Sequence, residues 1–446
     1  MNHLKSFILL SIVVIIGYSS AQPQCAYQVA NSKYFIQDGY CVWEYKTGLS
    51  KPRQLYVASN GDVLVSTNGI ITVMYDLNQN GVIDSNESAT LATAPGLNHA
   101  VTVTGKYLYA TSPSTAYRWR YTPGNRTDLG TPEVVLNNMP SDGHVTRTLA
   151  MIDELKFYIS IGSGSNVDPN SSRARVYYCD ATGLTLPINF TNCVVQADGC
   201  RNEVGLRFDP TGRLWGVENG MDELSRPDLV ADAHINNPCE EINLLESRGS
   251  FYGYPRCWSE GYLPPNVSKG VGANFGVLKS DDDWCFNQSN VVRPKFCMPA
   301  HTAPLDLLFW NSTTFQPPYD KGMFVTQHGS WNRVPSSGYQ VVHIQTDSNY
   351  NPVNATMTKL FGGIPGVKGD QWAFRPVSVV RLAPCGINIT ECLLISSDDP
   401  TGTIIAIRYS GHTDSYSSGN ILKPVISSQY LSITIVLLLS IITLLF

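Results

Sequence analysis

Twelve residues, Asp76-Leu-Asn78-Gln-Asn80-Gly81-Val-Ile83-Asp84-Ser-Asn-Glu87, put side-chain oxygens at positions one, three, five, nine and twelve and a glycine at position six. That is the ligand spacing of a calcium loop: a hard cation needs several oxygens at short range, the glycine allows the sharp turn that gathers the first three, and a bidentate Glu closes the site. Asn at positions three and five carries less charge than Asp, so the affinity expected suits millimolar extracellular calcium, and with no acid or base nearby the expected role is structural. A second set of residues suits different chemistry. His99, His144, Arg201 with Asn202, His328 and Arg375 recur at the starts of similar segments. Brought to one place, imidazoles, two guanidinium groups and an amide would bind a multiply anionic molecule and move a proton.

The segments that carry these residues are built alike. Pro52 to Tyr75 shows the unit: a short apolar run, a Gly or Asp turn, a second apolar run, then a further strand. Comparable units begin near His99, His144, Arg201, Ala303 and Arg375. Runs of four to seven residues rich in Val, Ile, Tyr and Trp, bounded by Gly, Asn, Asp and Pro, read as strands, and no long amphipathic helix is evident. Six such units predict an all-β fold, a six-bladed β-propeller whose central pocket is lined by the residues that open each unit. The Cys-, Pro- and Gly-rich stretch from 232 to 302 is expected as an insertion between blades 4 and 5.

Composition narrows the function. The chain has 446 residues, 15% of them charged, with a formal net charge of −5. Low charge with abundant Tyr, Gly and Pro indicates a folded, turn-rich chain, and the acidic balance offers nothing to a nucleic-acid backbone. Lys5, the apolar stretch Ile8 to Ile16 and Ser19-Ser20-Ala21 have the layout of a signal peptide over 1–21. At the other end, the small residues Ser417-Ser418-Gly419, a spacer and an apolar tail running to Phe446 match a glycosylphosphatidylinositol signal. The expectation is a lipid anchor at Ser418, removal of 419–446, and a mature chain over 22–418 on the outer face of the cell membrane. Sequons at Asn86, Asn125, Asn170, Asn189, Asn266, Asn287, Asn311, Asn354 and Asn388 agree with a secreted glycoprotein.

Eleven cysteines without close CxxC pairs favour disulfides over a zinc site. Near neighbours suggest the pairs Cys25/Cys41, Cys239/Cys257, Cys285/Cys297 and Cys385/Cys392. The trio Cys179, Cys193 and Cys200 then leaves one thiol over, and spacing does not say which.

The order of several short motifs resembles the glucose/sorbosone dehydrogenase family of soluble six-bladed propellers that use pyrroloquinoline quinone (PQQ). The motifs are Gly143-His144-Val-Thr-Arg147, Gly162-Ser-Gly-Ser-Asn166, Arg201-Asn202-Glu-Val-Gly205, Asp209-Pro-Thr-Gly212-Arg-Leu-Trp215, Glu218-Asn219-Gly-Met-Asp222-Glu223, Tyr252-Gly-Tyr-Pro255, His301-Thr-Ala-Pro304, His328-Gly-Ser-Trp331-Asn332-Arg333, Arg375-Pro376 and Ser397-Asp398-Asp399. The resemblance spans a core of 52–409. It implies that His144 is the general base for a sugar hydroxyl while hydride passes to PQQ, and that Arg201 and Asn202 face the quinone. It implies that Arg375 pairs with a cofactor carboxylate and that His328, Trp331 and Arg333 lie in a cofactor-binding motif at the pocket rim. A second calcium ion against the quinone, held partly by backbone oxygens, is implied without assignable ligands. Glu203 departs from the family pattern, which has Pro there, and would set a carboxylate near an acidic cofactor. Two functions are therefore carried forward: a cell-surface quinoprotein oxidising a sugar or sugar aldehyde and passing electrons to an unidentified acceptor, and a cofactor-free, calcium-stabilised propeller that binds carbohydrate or protein.

Overall fold

The structure, a computed structural model, describes residues 34–411 apart from 171, 354 and 364–373. The expected signal segment, Cys25, Asn354, Ser418 and the tail 419–446 lie outside the described residues. Six blades follow one another along the chain, numbered here 1 to 6, each built on four antiparallel strands; a short fifth strand is added at the outer edge of blades 2, 3 and 5, parallel in the first two. Their inner strands are Leu55–Val57, Val101–Thr104, Leu149–Met151, Glu203–Phe208, Pro304–Asn311 and Pro376–Leu382, each touching the next around the ring and the last touching the first. Every inner strand begins within a few residues of a unit start read from the sequence.

The apolar runs lack the alternation of half-exposed strands because both faces of each blade are buried. In blade 1, Val63, Val65 and Met74 point to one side, into a cluster with Trp43, Leu382 and Ile404 of blade 6. Leu64, Ile71 and Val73 point to the other, into a cluster with Leu108 and Trp119 of blade 2. Equivalent clusters fill each of the other four interfaces between blades. The fold is therefore held by six apolar seams around an axis whose ends are free for polar residues.

Closure of the ring uses both ends of the described chain. Tyr40–Lys46 is the outer strand of blade 6 and pairs antiparallel with Thr403–Tyr409, Trp43 opposite Ala406. The expected calcium loop, between the third and outer strands of blade 1, packs on this seam. Trp43 Nε1 donates to Gly81 O at 2.7 Å, Ile83 N to Tyr45 O at 2.9 Å, and Ile387 N to Gln79 O at 2.7 Å.

The Cys-rich insertion is present, and the strand order refines its place: it lies inside blade 4, between the third strand Glu240–Leu244 and the outer strand Phe296–Met298. This topology corrects two disulfides. Cys239 pairs with Cys297 and Cys257 with Cys285, in place of Cys239/Cys257 and Cys285/Cys297. The reason is register: the strands carrying Cys239 and Cys297 are ladder neighbours although the insertion separates them in sequence, and Cys257 and Cys285 both belong to the insertion. Cys385–Cys392 is as expected, Cys179–Cys193 resolves the trio, and Cys200 is the buried free thiol. Cys41 is disulfide-bonded. The eight acceptor Asn residues among the described residues are all exposed. No helix among the described residues is long and apolar enough to cross a membrane.

Candidate active site

Inner strands start, and second strands end, at the same face of an antiparallel blade, so residues just before the first and just after the second meet there. At that face lies a cavity of about 220 Å³ lined by His144, Arg201, His328, Trp331 and Arg375 from the sequence reading, and by Asn219, Asp222, Glu240, His301 and Asn332. The second group is where sequence reasoning fell short. Asn219 and Asp222 follow the second strand of blade 4, and His301 follows its outer strand, so extending the unit-start rule to strands that return to the same face would have found them. Asn202 is buried beside the cavity wall and not in its lining. Arg333 points to the blade 4 insertion, where Nη2 donates to Asn236 Oδ1 at 3.0 Å. His99 lies deeper, fully buried, accepting from Arg53 Nε at 3.4 Å.

His144 is held by close backbone approach. A Cβ at Gly143 would come within 2.3 Å of Gly164 Cα, and one at Gly162 within 2.6 Å of both Asn202 Oδ1 and His144 Cβ, so only glycine lets these turns meet. The buried Arg147 guanidinium donates to the His144 carbonyl at 2.6 Å and to Thr146 O at 2.7 Å, fixing the backbone. His144 Nδ1 lies 3.0 Å from Ser163 O. Nδ1 is equally close, 3.0 Å, to Ser163 Oγ, whose own proton goes to Ser165 O at 2.8 Å; facing two acceptors, Nδ1 carries the ring proton and Nε2 the lone pair. Burial first, then the Arg201 charge, push the His144 pKa below its ordinary value, so the ring is neutral near pH 7.

Arg201 donates to Asn166 O, Asn166 Oδ1 and Asn219 O at 3.1–3.2 Å and approaches Asp222 Oδ2 at 3.3 Å. Burial alone would raise the Asp222 pKa, but hydrogen bonds from His301 and Asn332 and the Arg201 charge hold it low. His301 Nε2 donates to His234 O at 2.6 Å and Nδ1 faces Asp222 Oδ1 at 3.3 Å; burial opposes its charge, yet these partners raise its pKa. From the neighbouring blade 5, His328 Nε2 donates to Asp398 Oδ1 at 2.7 Å, and Arg53 binds the other Asp398 oxygen at 2.5 Å. Arg375 donates to His328 O and Gly329 O at 3.3 and 3.1 Å and makes no ion pair among the described residues.

Glu203 turns away from the cavity. It is buried in blade 4 with Glu218 and Glu241, all three within 3.1–3.4 Å of Asn243 Nδ2. Burial first, and then repulsion from neighbouring carboxylates (Glu241 for Glu203 and Glu218, Glu240 for Glu241), raises their pKa values, so protons are retained among them.

In the blade 1 loop, Asp76 accepts from Asn80 N and Gly81 N at 3.0 and 2.7 Å. Glu87, 2% exposed, accepts from Leu77 N and Asp84 N at 2.9 and 3.0 Å. Asp84 Oδ2 receives Asn78 Nδ2 at 2.9 Å and Asn80 Nδ2 at 3.4 Å. Asp84 thus joins Asn78 and Asn80, while Asp76 and Glu87 are held by backbone N–H groups of the loop. A larger groove of about 580 Å³, between blade 4, its insertion and the 352–357 loop of blade 5, is lined mainly by apolar groups such as Val271, Phe296 and Met357, with Lys295 at its wall.

Comparison with known proteins extends the geometry. Residues 34–410 match the TrAA12-like family. A "Pyrroloquinoline quinone-dependent sugar dehydrogenase" of Hypocrea jecorina is 32% identical over 359 residues, covering 72% of this chain and 80% of that protein. A "Pyrroloquinoline quinone-dependent pyranose dehydrogenase" of Coprinopsis cinerea is 31% identical over 348 residues, 72% of this chain but only 45% of that protein, so this chain spans less than half of it. The solved holo form of the PQQ domain of the Coprinopsis enzyme superposes with a TM-score of 0.72 at 28% identity, covering 86% of this chain and 98% of that one. The calcium structure of a Trichoderma reesei AA12 protein gives 0.73 at 27% identity, covering 88% and 100%.

Proposed function

This chain belongs to the TrAA12-like family, and from that premise we propose that it is a PQQ-dependent oxidoreductase acting on sugars, with His144 as general base. The observation that carries the reading is the donor set of the cavity: a neutral imidazole with its lone pair on Nε2, beside Arg201 and an Arg375 that has no ion pair among the described residues. Asn332 Oδ1, buried without a partner at the same site, is a further acceptor open to a ligand. These groups fit a planar tricarboxylate. When bound, PQQ supplies a hydride acceptor.

The chain's own residues do the rest. His144 Nε2 takes the hydroxyl proton of the sugar, and the Ser163 carbonyl steadies the imidazolium that forms through the Nδ1–H bond. Arg201, fixed by three carbonyl or amide oxygens, offers positive charge where negative charge develops, without having to reorganise. Arg375 pairs with a carboxylate of the cofactor, and His328 is oriented beside it by Asp398. Asn202 backs His144 across Gly162, Trp331 stands at the rim, and Arg333 ties the rim to the insertion.

Two calcium roles accompany this reading: a structural ion held by Asp76, Asn78, Asn80, Asp84 and Glu87, and an ion at the cofactor. The proposed setting is extracellular, glycosylated, and attached to the membrane through a lipid near Ser418. Nothing favours the cofactor-free alternative, because Glu203, its main support, does not face the cavity.

Adding PQQ and calcium to the expressed chain and following reduction of an artificial acceptor dye with a panel of aldoses and sorbosone tests the reading. Saturable, sugar-dependent reduction is expected; no cofactor-dependent reduction with any of them would reject it.

A further inference from the structure

Trp331 stands out as an exposed aromatic on a backbone held on both sides. Its indole is 76% exposed although it lines the cavity, so it stands at the mouth. Its neighbours in the chain are bolted down on both sides. Ser330 N donates to Ser337 O at 2.9 Å, and Tyr339 Oη to Ser330 O at 2.6 Å. Asn332 Nδ2 donates to Asp222 Oδ1 at 2.9 Å, and Arg333 is tied to Asn236. A large aromatic left in water forgoes the stabilisation of burial, and here the surrounding bonds keep it there.

Size decides what the indole meets. The cavity of about 220 Å³ lies below the ~300–1,000 Å³ of sites that enclose drug-sized ligands, so a fused tricyclic cofactor drawn to Arg201 and Arg375 fills it. The sugar is then left to the mouth, where the negative face of the indole suits the C–H face of a pyranose ring.

We propose that Trp331 is a stacking platform for the substrate's pyranose ring and does not hold the cofactor, the ring positions remote from the reacting carbon facing solvent. The inference rests on the functional reading above and adds to it a specificity residue and an open, substitution-tolerant mouth.

The test uses the PQQ- and calcium-loaded chain, Trp331→Ala and Trp331→Phe. In Trp331→Ala, KM for a good aldose should rise ~tenfold while kcat and the Kd for PQQ stay within about threefold, and Trp331→Phe should recover most of the loss. An unchanged KM in Trp331→Ala overturns the platform, and so does a PQQ Kd that rises in step with KM, since the indole would then be holding the cofactor. Methyl β-D-glucopyranoside lacks the anomeric hydroxyl and gives a readout without turnover. It should quench the fluorescence difference between wild type and Trp331→Phe in a saturable way, and no quenching contradicts the proposal. A 6-O-methyl aldose should keep kcat/KM within about threefold of its parent; a ~100-fold loss would show a closed mouth. Failure of PQQ to bind at all would overturn the functional reading and this inference with it; with PQQ bound, the sugar measurements judge Trp331 alone.

Discussion

His144 Nδ1 stands 3.0 Å from the carbonyl oxygen of Ser163, a contact that fixes the proton on Nδ1 and leaves Nε2 as the base. His144→Gln should therefore lower kcat by ~10²–10⁴-fold with little change in PQQ affinity. The pH dependence follows from the sign of the shift. The neutral ring is the active form and its pKa is depressed, so kcat/KM should hold as pH falls through ~6.5 and decline only below it. An acid limb centred above pH 7 in a pH–rate profile would contradict this.

Arg375 has two carbonyl partners and no carboxylate partner among the described residues. If it binds a cofactor carboxylate, Arg375→Met should weaken PQQ binding ~10–100-fold in a direct titration, and Arg375→Lys by less. A Kd equal to wild type in Arg375→Met would remove it from the cofactor site.

Trp43 Nε1 bonds Gly81 O across the join of blades 6 and 1, so an ion bound in the blade 1 loop would be coupled to ring closure. With calcium at ~100 times its Kd, binding adds ~2.7 kcal/mol, which a melting scan reads as several degrees. Chelator should lower the melting temperature of the wild type, and Glu87→Gln should reduce the calcium-dependent part. A wild type indifferent to chelator would show that the loop needs no ion.

Glu203 shares its buried space with Glu218 and Glu241, and its pKa is raised to about 8. A carboxyl that binds its proton more tightly when folded loses stability for the protein as pH rises from ~4.5, its ordinary value, toward 8. Glu203→Gln should therefore raise the melting temperature more at pH 8 than at pH 5. An equal change at both would mean that the cluster does not retain protons.

The blades were legible because each unit repeats turn residues between short apolar runs, which is how a ring buried on both faces of every sheet must be written. The blade 1 loop could be singled out from the sequence because its side-chain oxygens lie within twelve residues. The disulfides of blade 4 were not, since about fifty inserted residues separate two strands that pair directly, and closeness along the chain ceased to mean closeness in space. Asp222, Glu240, His301 and Asn332 escaped for a related reason: each sits on a return strand or loop, and their convergence depends on register. Glu203 was misjudged because it opens the inner strand and packs inside the blade beside Asn243, whereas Arg201 lies in the turn before that strand, where strand alternation does not set the direction of its side chain.

The central claim is that His144 removes a proton from a sugar as PQQ is reduced. Its most direct test is single-turnover mixing of the PQQ-loaded chain with an aldose, followed by cofactor absorbance without any electron acceptor. A saturable, sugar-dependent bleaching is expected in the wild type, slowed ~10²–10⁴-fold in His144→Gln at equal cofactor occupancy. Bleaching at the same rate in both proteins, or none in the loaded wild type with any sugar tried, would contradict it.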